Sequence, residues 1–278
     1  MWNGKTQTCI VMLFILFTLK GNAQSLMSMM KRPFNIIETG WERNSNQDLS
    51  LIFTNHDFCD YYVYIVNTRS YSIRPGKNTM FTIHKGSNAF NPFENPSSYS
   101  FYRGAFVRKF DPKFPYALPV KNGVKTAWKT DIRESVKTMN FYMHQGDTVY
   151  ATRAGMACKT SDPRQLLVYH SDNTFAAYLG MDENFIVLGE EVMTGQPIGI
   201  AGRWTVSISY FFLDENKFES FQITGYPYSH FMPVFRTTEG DVVMDEKRKY
   251  TAVTDDDLIM KDMGKGERKR YLKKKNRK

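Results

Sequence analysis

The sequence predicts an all-β protein, and three observations carry that prediction. Aromatic residues make up 15% of the 278 positions, with 21 Phe and 16 Tyr, and they sit beside Thr, Val and Ile in short runs of the kind strands favour. Glycines bracket those runs between Gln145 and Asp214, where tight turns need the backbone freedom that glycine supplies. No helical run of useful length fits into that stretch. The expected architecture is an antiparallel β core over 112–254, preceded by a small β-sandwich-like domain over 24–111.

The stretch from Gln145 to Asp214 organises the rest. Two similar units stand out, Gly146-Asp-Thr-Val149-Tyr-Ala-Thr-Arg-Ala-Gly155 and Gly189-Glu-Glu-Val192-Met-Thr-Gly195-Gln-Pro-Ile198-Gly199. Each reads as a short strand between glycines. Leu166 to His170 and Thr174 to Leu179 are further strands, rich in branched and aromatic residues.

Upstream, Leu49–Thr54, Cys59–Val66, Thr79–His84 and Ser100–Val107 read as strands, and Asn67–Ser72 and Arg74–Asn78 as the turns joining neighbours. Gly86 to Ser100, dense in Asn, Pro and Ser, is loop. The aromatic strands of this region read as core rather than as a sugar-stacking platform. Three prolines between Phe110 and Val120 mark the junction, and Lys121 to Lys137 is polar and turn-prone. After the core, Phe218–Ile223 and Met232–Thr237 are strands, and the turn at Thr238–Asp241 leads into Val242–Met244.

Charge is unevenly placed. The formal net charge is +9, yet Lys265 to Lys278 hold nine Lys or Arg against one Glu, and the leader adds Lys5 and Lys20. The body from Gln24 to Gly264 is therefore near neutral, which argues against a basic groove for nucleic acid. The segment 255–278 reads as a basic disordered tail, since it lacks apolar residues to bury, and an anionic envelope surface is the partner its charge suits.

The N-terminus reads as a secretory signal over 1–23. Lys5 precedes an eleven-residue apolar run, Cys9 to Leu19, and Gly21-Asn22-Ala23 supplies small residues for cleavage. The run is shorter than the about 20 residues of a membrane helix. The reading is an exported protein of the periplasm or cell envelope of a bacterium. Two cysteines remain after such cleavage, Cys59 and Cys158, as buried free thiols or as one bridge.

The core resembles the lysostaphin/LytM family of zinc metallopeptidases, which cut peptidoglycan peptides. The matching stretches are Gly146-Asp-Thr-Val-Tyr-Ala151 with Gly155, Val168-Tyr-His170-Ser-Asp-Asn-Thr174 with Ala177 and Tyr178, and Val187-x-Gly189-x-x-Val192-x-x-Gly195-Gln-Pro-Ile198-Gly199 with Gly202. A later segment, Pro233 to Thr237 with Gly240 and Tyr250, is similar to one that follows the peptidase domain in secreted members. The resemblance implies a barrel-sandwich hybrid core over about 114–252.

It also implies where zinc chemistry would sit, and those positions are emptied. The family holds zinc with the His and Asp of an H-x-x-x-D element and the second His of an H-x-H element. The metal Asp falls on Asn140, its partner His on Val136 and the second His of H-x-H on Ser207. The two His that assist the zinc-bound water, one shortly after the Tyr of the central strand and the other the first of H-x-H, fall on Gly180 and Thr205. A catalytic zinc needs three protein ligands with water in the fourth position, and these residues do not supply them. Zinc is therefore expected to be absent and the domain to be a pseudopeptidase.

His144, His170 and Tyr178 are left as candidates for a binding cleft. A metal site rebuilt from His144, Asp147 and His170 is the enzyme alternative. Lipoyl or biotinyl carrier function fails because no Lys lies between Lys159 and Lys217. Cys158 has no flanking base, so it reads as inert. The expected role is a binding or adaptor module for peptidoglycan or a cell-wall hydrolase, with a structural subunit of an outer-membrane or secretion assembly as the third reading.

Overall fold

The computed structural model describes residues 26–65, 70–87, 91–94, 99–107, 109–130, 138–203, 205–218 and 227–276. The signal-like leader, Val136, Trp204 and most of the strand expected at Phe218–Ile223 lie outside the described residues; Phe218 itself ends a helical turn, Glu215–Phe218. Strand exceeds helix by 43% to 10%, and the all-β class stands.

In chain order the strands are β1 (Ile37–Arg43), β2 (Leu49–Asn55), β3 (Tyr61–Ile65), β4 (Tyr71–Ile73), β5 (Gly76–Ile83) and β6 (Tyr99–Arg103). Then come β7 (Pro115–Tyr116), β8 (Lys125–Thr126), β9 (Trp128–Thr130), β10 (Met139–Phe141), β11 (Thr148–Tyr150), β12 (Gly155–Cys158), β13 (Leu166–Tyr169) and β14 (Thr174–Leu179). The chain continues through β15 (Met181–Asn184), β16 (Glu191–Val192), β17 (Pro197–Ala201), β18 (Val206–Leu213), β19 (Tyr228–His230), β20 (Val234–Thr237), β21 (Gly240–Val242) and β22 (Tyr250–Thr251).

An eight-stranded sheet forms the middle layer. Its order is β16-β12-β13-β14-β18-β10-β9, with β19 also pairing β18, and every pairing in it is antiparallel. Residues on β14 and β18 alternate between two cores. Ala176, Tyr178, Val206, Ile208 and Tyr210 join Val149, Ile198 and Ala201 from the small sheet β11-β17-β15. Phe175, Ala177, Leu179, Phe211 and Leu213 face the other way, into a core shared with Leu51, Phe53, Tyr61, Val63 and Ile73 of the N-terminal region. That region consists of two three-stranded sheets, β1-β2-β5 and β4-β3-β6. Burial on both faces explains why every residue of β14 is buried, and why its sequence reads as a continuous apolar run instead of an alternation.

Glycine does two different things in the repeated units: Gly146, Gly189 and Gly195 take positive φ at turns, and Gly155 and Gly199 do not. Gly155 and Gly199 are close-approach positions: an added Cβ would stand 2.4 Å from the Tyr169 carbonyl oxygen and 2.3 Å from that of Glu183. The expectation that both supply a left-handed turn is corrected accordingly, because pairing at this distance leaves no room for a side chain.

A buried ion pair joins the two cores' owners. Arg103 on β6 and Asp57 in the β2–β3 turn are wholly buried, with Nη2 2.6 Å from Oδ2. The guanidinium also donates to the Tyr61 hydroxyl at 3.1 Å, the Met29 carbonyl at 2.5 Å and the Lys159 carbonyl at 2.7 Å. Asp57 Oδ1 accepts the Lys159 N–H at 2.8 Å. One side-chain pair thus ties together the helical turn at 26–30, the β2–β3 turn, β6 and the segment after β12.

The tail is a correction. Sequence reasoning expects 255–278 to be disordered, but a helical turn, Asp256–Ile259, is capped by Asp255 and buries Leu258, and a helix follows over Lys265–Lys275. The helix buries none of its residues, so composition was right about the missing apolar face. What holds it is polar: Glu267 caps Gly264 N–H at 2.7 Å, and Tyr271 and Lys275 both reach Asp256.

Asp57→Asn should lower unfolding free energy by about 3–5 kcal/mol, since it leaves the Arg103 charge buried without its counter-ion. Equilibrium urea unfolding followed by tryptophan fluorescence measures this; a loss well under 1 kcal/mol would remove the pair from its structural role.

Candidate functional site

Two of the three positions matched to the family's zinc ligands, Asn140 and Ser207, do come together; Val136 lies outside the described residues. β10 and β18 pair with Asn140 directly opposite Ser207, and both side chains lie on the face of β18 that carries Phe211 and Leu213, because residues alternate along a strand. Ser207 Oγ donates to Asn140 Oδ1 at 2.5 Å, and Asn140 Nδ2 donates to the Lys129 carbonyl at 3.2 Å. Both residues are buried, at 8% and 2% exposure. The amide and hydroxyl therefore satisfy each other, and neither brings negative charge or an imidazole.

Gly180 ends β14 beside the same strand. Its φ is +79°, and a Cβ there would stand 2.3 Å from the Thr205 carbonyl oxygen. The position that the resemblance gives to a histidine cannot carry a side chain with this backbone. The set of Asn140, Gly180, Thr205 and Ser207 does not fit zinc: it offers three neutral oxygens, two of them already engaged with each other, and these are poor partners for a cation that seeks imidazole, thiolate or carboxylate.

The cleft candidates separate. His144 lies at a turn with its side chain 98% exposed, and its Nδ1 is 3.6 Å from Asp147 Oδ2. The turn is closed by Asp147 Oδ2 accepting the His144 N–H at 2.8 Å. Tyr178 is wholly buried; its hydroxyl accepts the Thr152 N–H at 2.8 Å and contacts Thr152 Oγ1 at the same distance, while Tyr210 donates to that Oγ1 at 3.2 Å. His170 is 1% exposed. Neither Tyr178 nor His170 lines an open cleft, which corrects that expectation: Tyr178 sits on β14, whose residues are all buried, and His170 is buried in the turn between β13 and β14.

His170 is instead part of a charged hub. Its Nδ1 donates to the Ala154 carbonyl at 2.7 Å, and Nε2 is buried without a partner among the described residues. Burial, and then the nearby Arg153 guanidinium, push its pKa down to about 4, so it is neutral at pH 7. Arg153, itself 3% exposed, pairs with Asp172 at 2.8 Å and Asp262 at 2.9 Å and lies over the Phe114 ring. Through Asp262, the charged C-terminal segment docks on the core.

One residue escaped the sequence. His230 on β19 places Nδ1 3.0 Å from Ser209 Oγ, two positions along β18 from Ser207. A serine beside an imidazole is the geometry of a nucleophile and its base, but Ser209 has no exposed surface and offers no oxygen to a substrate. Only the β18–β19 pairing reveals the contact, and no local spacing announces it.

Among the described residues, a single set of three His, Cys, Asp or Glu side chains gathers its ligand atoms within 4.8 Å: Asp57, Cys59 and Cys158. His144, Asp147 and His170 do not form one. Two cavities in the described residues lie away from Asn140 and Ser207. One of about 240 Å³ is lined by Arg32, Phe101 and Tyr228, and one of about 250 Å³ by Trp41, Phe93 and Glu94.

No family model matches the chain, and neither does any curated protein. Solved structures do resemble it. The M23 metalloprotease pseudoalterin from the deep sea is 15% identical, with a TM-score of 0.31 over 35% of this chain and 70% of that one. A zinc containing peptidase from Vibrio cholerae is 12% identical, with a TM-score of 0.29 over 59% of this chain and 52% of that one. Helicobacter pylori Csd3 is 10% identical, with a TM-score of 0.30 over 86% of this chain and 81% of that one. At these scores and identities the likenesses decide nothing about chemistry.

Lowering the pH from 7 to 5 should destabilise the fold by an amount on the order of 2 kcal/mol through His170 alone. The unfolded imidazole takes up its proton near pH 6.5, whereas the folded one, facing Arg153, Asp172 and Asp262, resists until about 4, so stability is lost as pH falls through that window. Asp57 and Asp172, whose carboxyls are held below their usual range, lose their contribution at lower pH and do not interfere. Urea midpoints at the two pH values check this, and in His170→Asn the difference should shrink markedly.

Proposed function

We propose that the chain is an exported, non-catalytic member of the LytM-like group that binds peptidoglycan or docks a cell-wall hydrolase in the envelope. The observation that carries the reading is the Asn140–Ser207 hydrogen bond. At the positions where related peptidases bind zinc, two neutral side chains close on each other, and Gly180 beside them has no space for an imidazole. Without a bound metal there is no acidified water and no polarised carbonyl for this class of hydrolysis. A β scaffold of this type keeps extended surfaces when its chemistry is gone, and function then rests on binding. Export rests on the leader's basic, apolar and small-residue pattern.

The basic helix supports attachment to an anionic surface. Lys265–Lys275 carries seven Lys or Arg and one Glu, and all but one of its residues are exposed. With no apolar face it cannot insert into lipid, so the attraction is electrostatic and sensitive to salt.

Incubation of the purified chain with peptidoglycan sacculi and added zinc should give co-sedimentation of the protein without release of soluble muropeptides. Release that a chelator abolishes would overturn the reading in favour of an enzyme; a protein that neither sediments nor captures a wall hydrolase would remove the binding role. Separately, binding to vesicles rich in anionic lipid should fall steeply between low and physiological salt. Truncation after Gly264 should abolish it, as read by vesicle co-flotation.

A further inference from the structure

The β2–β3 turn and the end of β12 bring together the two cysteines that follow the leader. Cys59 is wholly buried and Cys158 is 5% exposed; both are free thiols, and their sulfurs lie within 4.8 Å of each other and of an Asp57 carboxylate oxygen. They stand 99 residues apart in sequence, one in the N-terminal region and one on the eight-stranded sheet. We propose that Cys59 and Cys158 are a disulfide site, oxidised by exchange with a disulfide-bearing oxidant, that locks the N-terminal region onto the central sheet. The proposal takes its oxidising compartment from the export reading, but it does not depend on the resemblance to peptidases.

The chemistry balances as two exchanges. The thiolate of one cysteine attacks a sulfur of the oxidant R–S–S–R, forming a mixed disulfide and releasing R–S⁻, which takes up the proton that the cysteine lost. The second cysteine's thiolate then attacks the protein sulfur of that mixed disulfide. A second R–SH leaves, the two cysteines are oxidised by two electrons, and the oxidant is reduced by two.

A metal is the competing reading of the same cluster, and Asp57 argues against it. Its Oδ1 accepts N–H groups from Phe58 and Lys159 at 2.9 and 2.8 Å. Its Oδ2 accepts from the Tyr61 hydroxyl at 2.8 Å, the Arg103 guanidinium at 2.6 Å and the Cys59 thiol at 3.5 Å. Every lone pair is engaged, and a guanidinium already supplies the positive charge that a cation would bring. That leaves two sulfurs, fewer than the four ligands a structural zinc takes. Burial, with the neighbouring Cys158, also pushes the Cys59 thiol well up, which disfavours the thiolate a metal needs. The same burial places the exchange during folding, while the sulfurs are still open to the oxidant, and shields the finished bond from reduction afterwards.

The test uses the full chain carrying Cys9→Ser, refolded in a reduced/oxidised glutathione buffer, so that its outcome is independent of where the cell sends the protein. Thiols counted in guanidine should be absent before reduction and two after it, with an intact mass two hydrogens lighter than the reduced chain. A proteolytic digest should contain the Cys59 and Cys158 peptides linked to each other. Dithiothreitol should lower the urea midpoint of this chain and leave that of the Cys59→Ala/Cys158→Ala variant unchanged. Two reactive thiols before reduction would overturn the proposal, with or without zinc in the folded sample. So would two separate glutathione adducts, or a parent midpoint that dithiothreitol does not move.

Discussion

The fold depends on one pair of opposite charges buried where four chain segments meet. Arg103 and Asp57 have no exposed surface, and moving two charges out of water is costly unless each remaining hydrogen-bond position finds a partner. Here each does. The guanidinium reaches three oxygens besides Asp57, and the carboxylate takes backbone N–H groups as well as the guanidinium. Burial alone would raise the Asp57 pKa, yet Arg103 and those N–H groups outweigh it and the carboxyl is held below its usual range. Such a cluster tolerates only one arrangement of its partners, and that arrangement seats the N-terminal sheets on the outer face of β13, β14 and β18.

That seating sets the character of everything beneath it. With both faces of β14 and β18 covered, their side chains belong to two cores, and the polar residues on them must be satisfied internally. Ser207 turns to Asn140, Ser209 to His230, and Tyr178 and Tyr210 to Thr152. One of these bonds, Asn140–Ser207, lies at positions that the sequence resemblance assigns to zinc ligands. A second buried cation, Arg153, performs the same service at the other end of the core by binding Asp172 and Asp262, and so draws a highly charged C-terminal segment onto a surface that composition alone would not assign it.

Much of this was legible in the residues. Most strands fall where alternation, branched residues and aromatics place them, because a pleated strand exposes its periodicity locally. The residue types at the positions matched to the zinc site were equally plain, since Asn140, Gly180, Thr205 and Ser207 are what they are in any fold. Other features were not legible. β1, with six of its seven residues exposed, lacks the alternation that marks a half-buried strand and is held by pairing with β2. The ordered tail is invisible to composition because capping and pairing to Asp256 and Asp262 replace apolar burial.

The sequence by itself determined the class of fold, the strand-forming runs and the glycine positions, all properties carried by residue identity or by spacing within one element. Tertiary structure decided that Asn140 bonds to Ser207, that His170 and Tyr178 are core, that His230 meets Ser209, and that Cys59 lies beside Cys158. Those contacts join residues from 21 to 99 positions apart, and they exist because cross-strand register and a buried ion pair bring distant segments to one place, a result that no local pattern encodes.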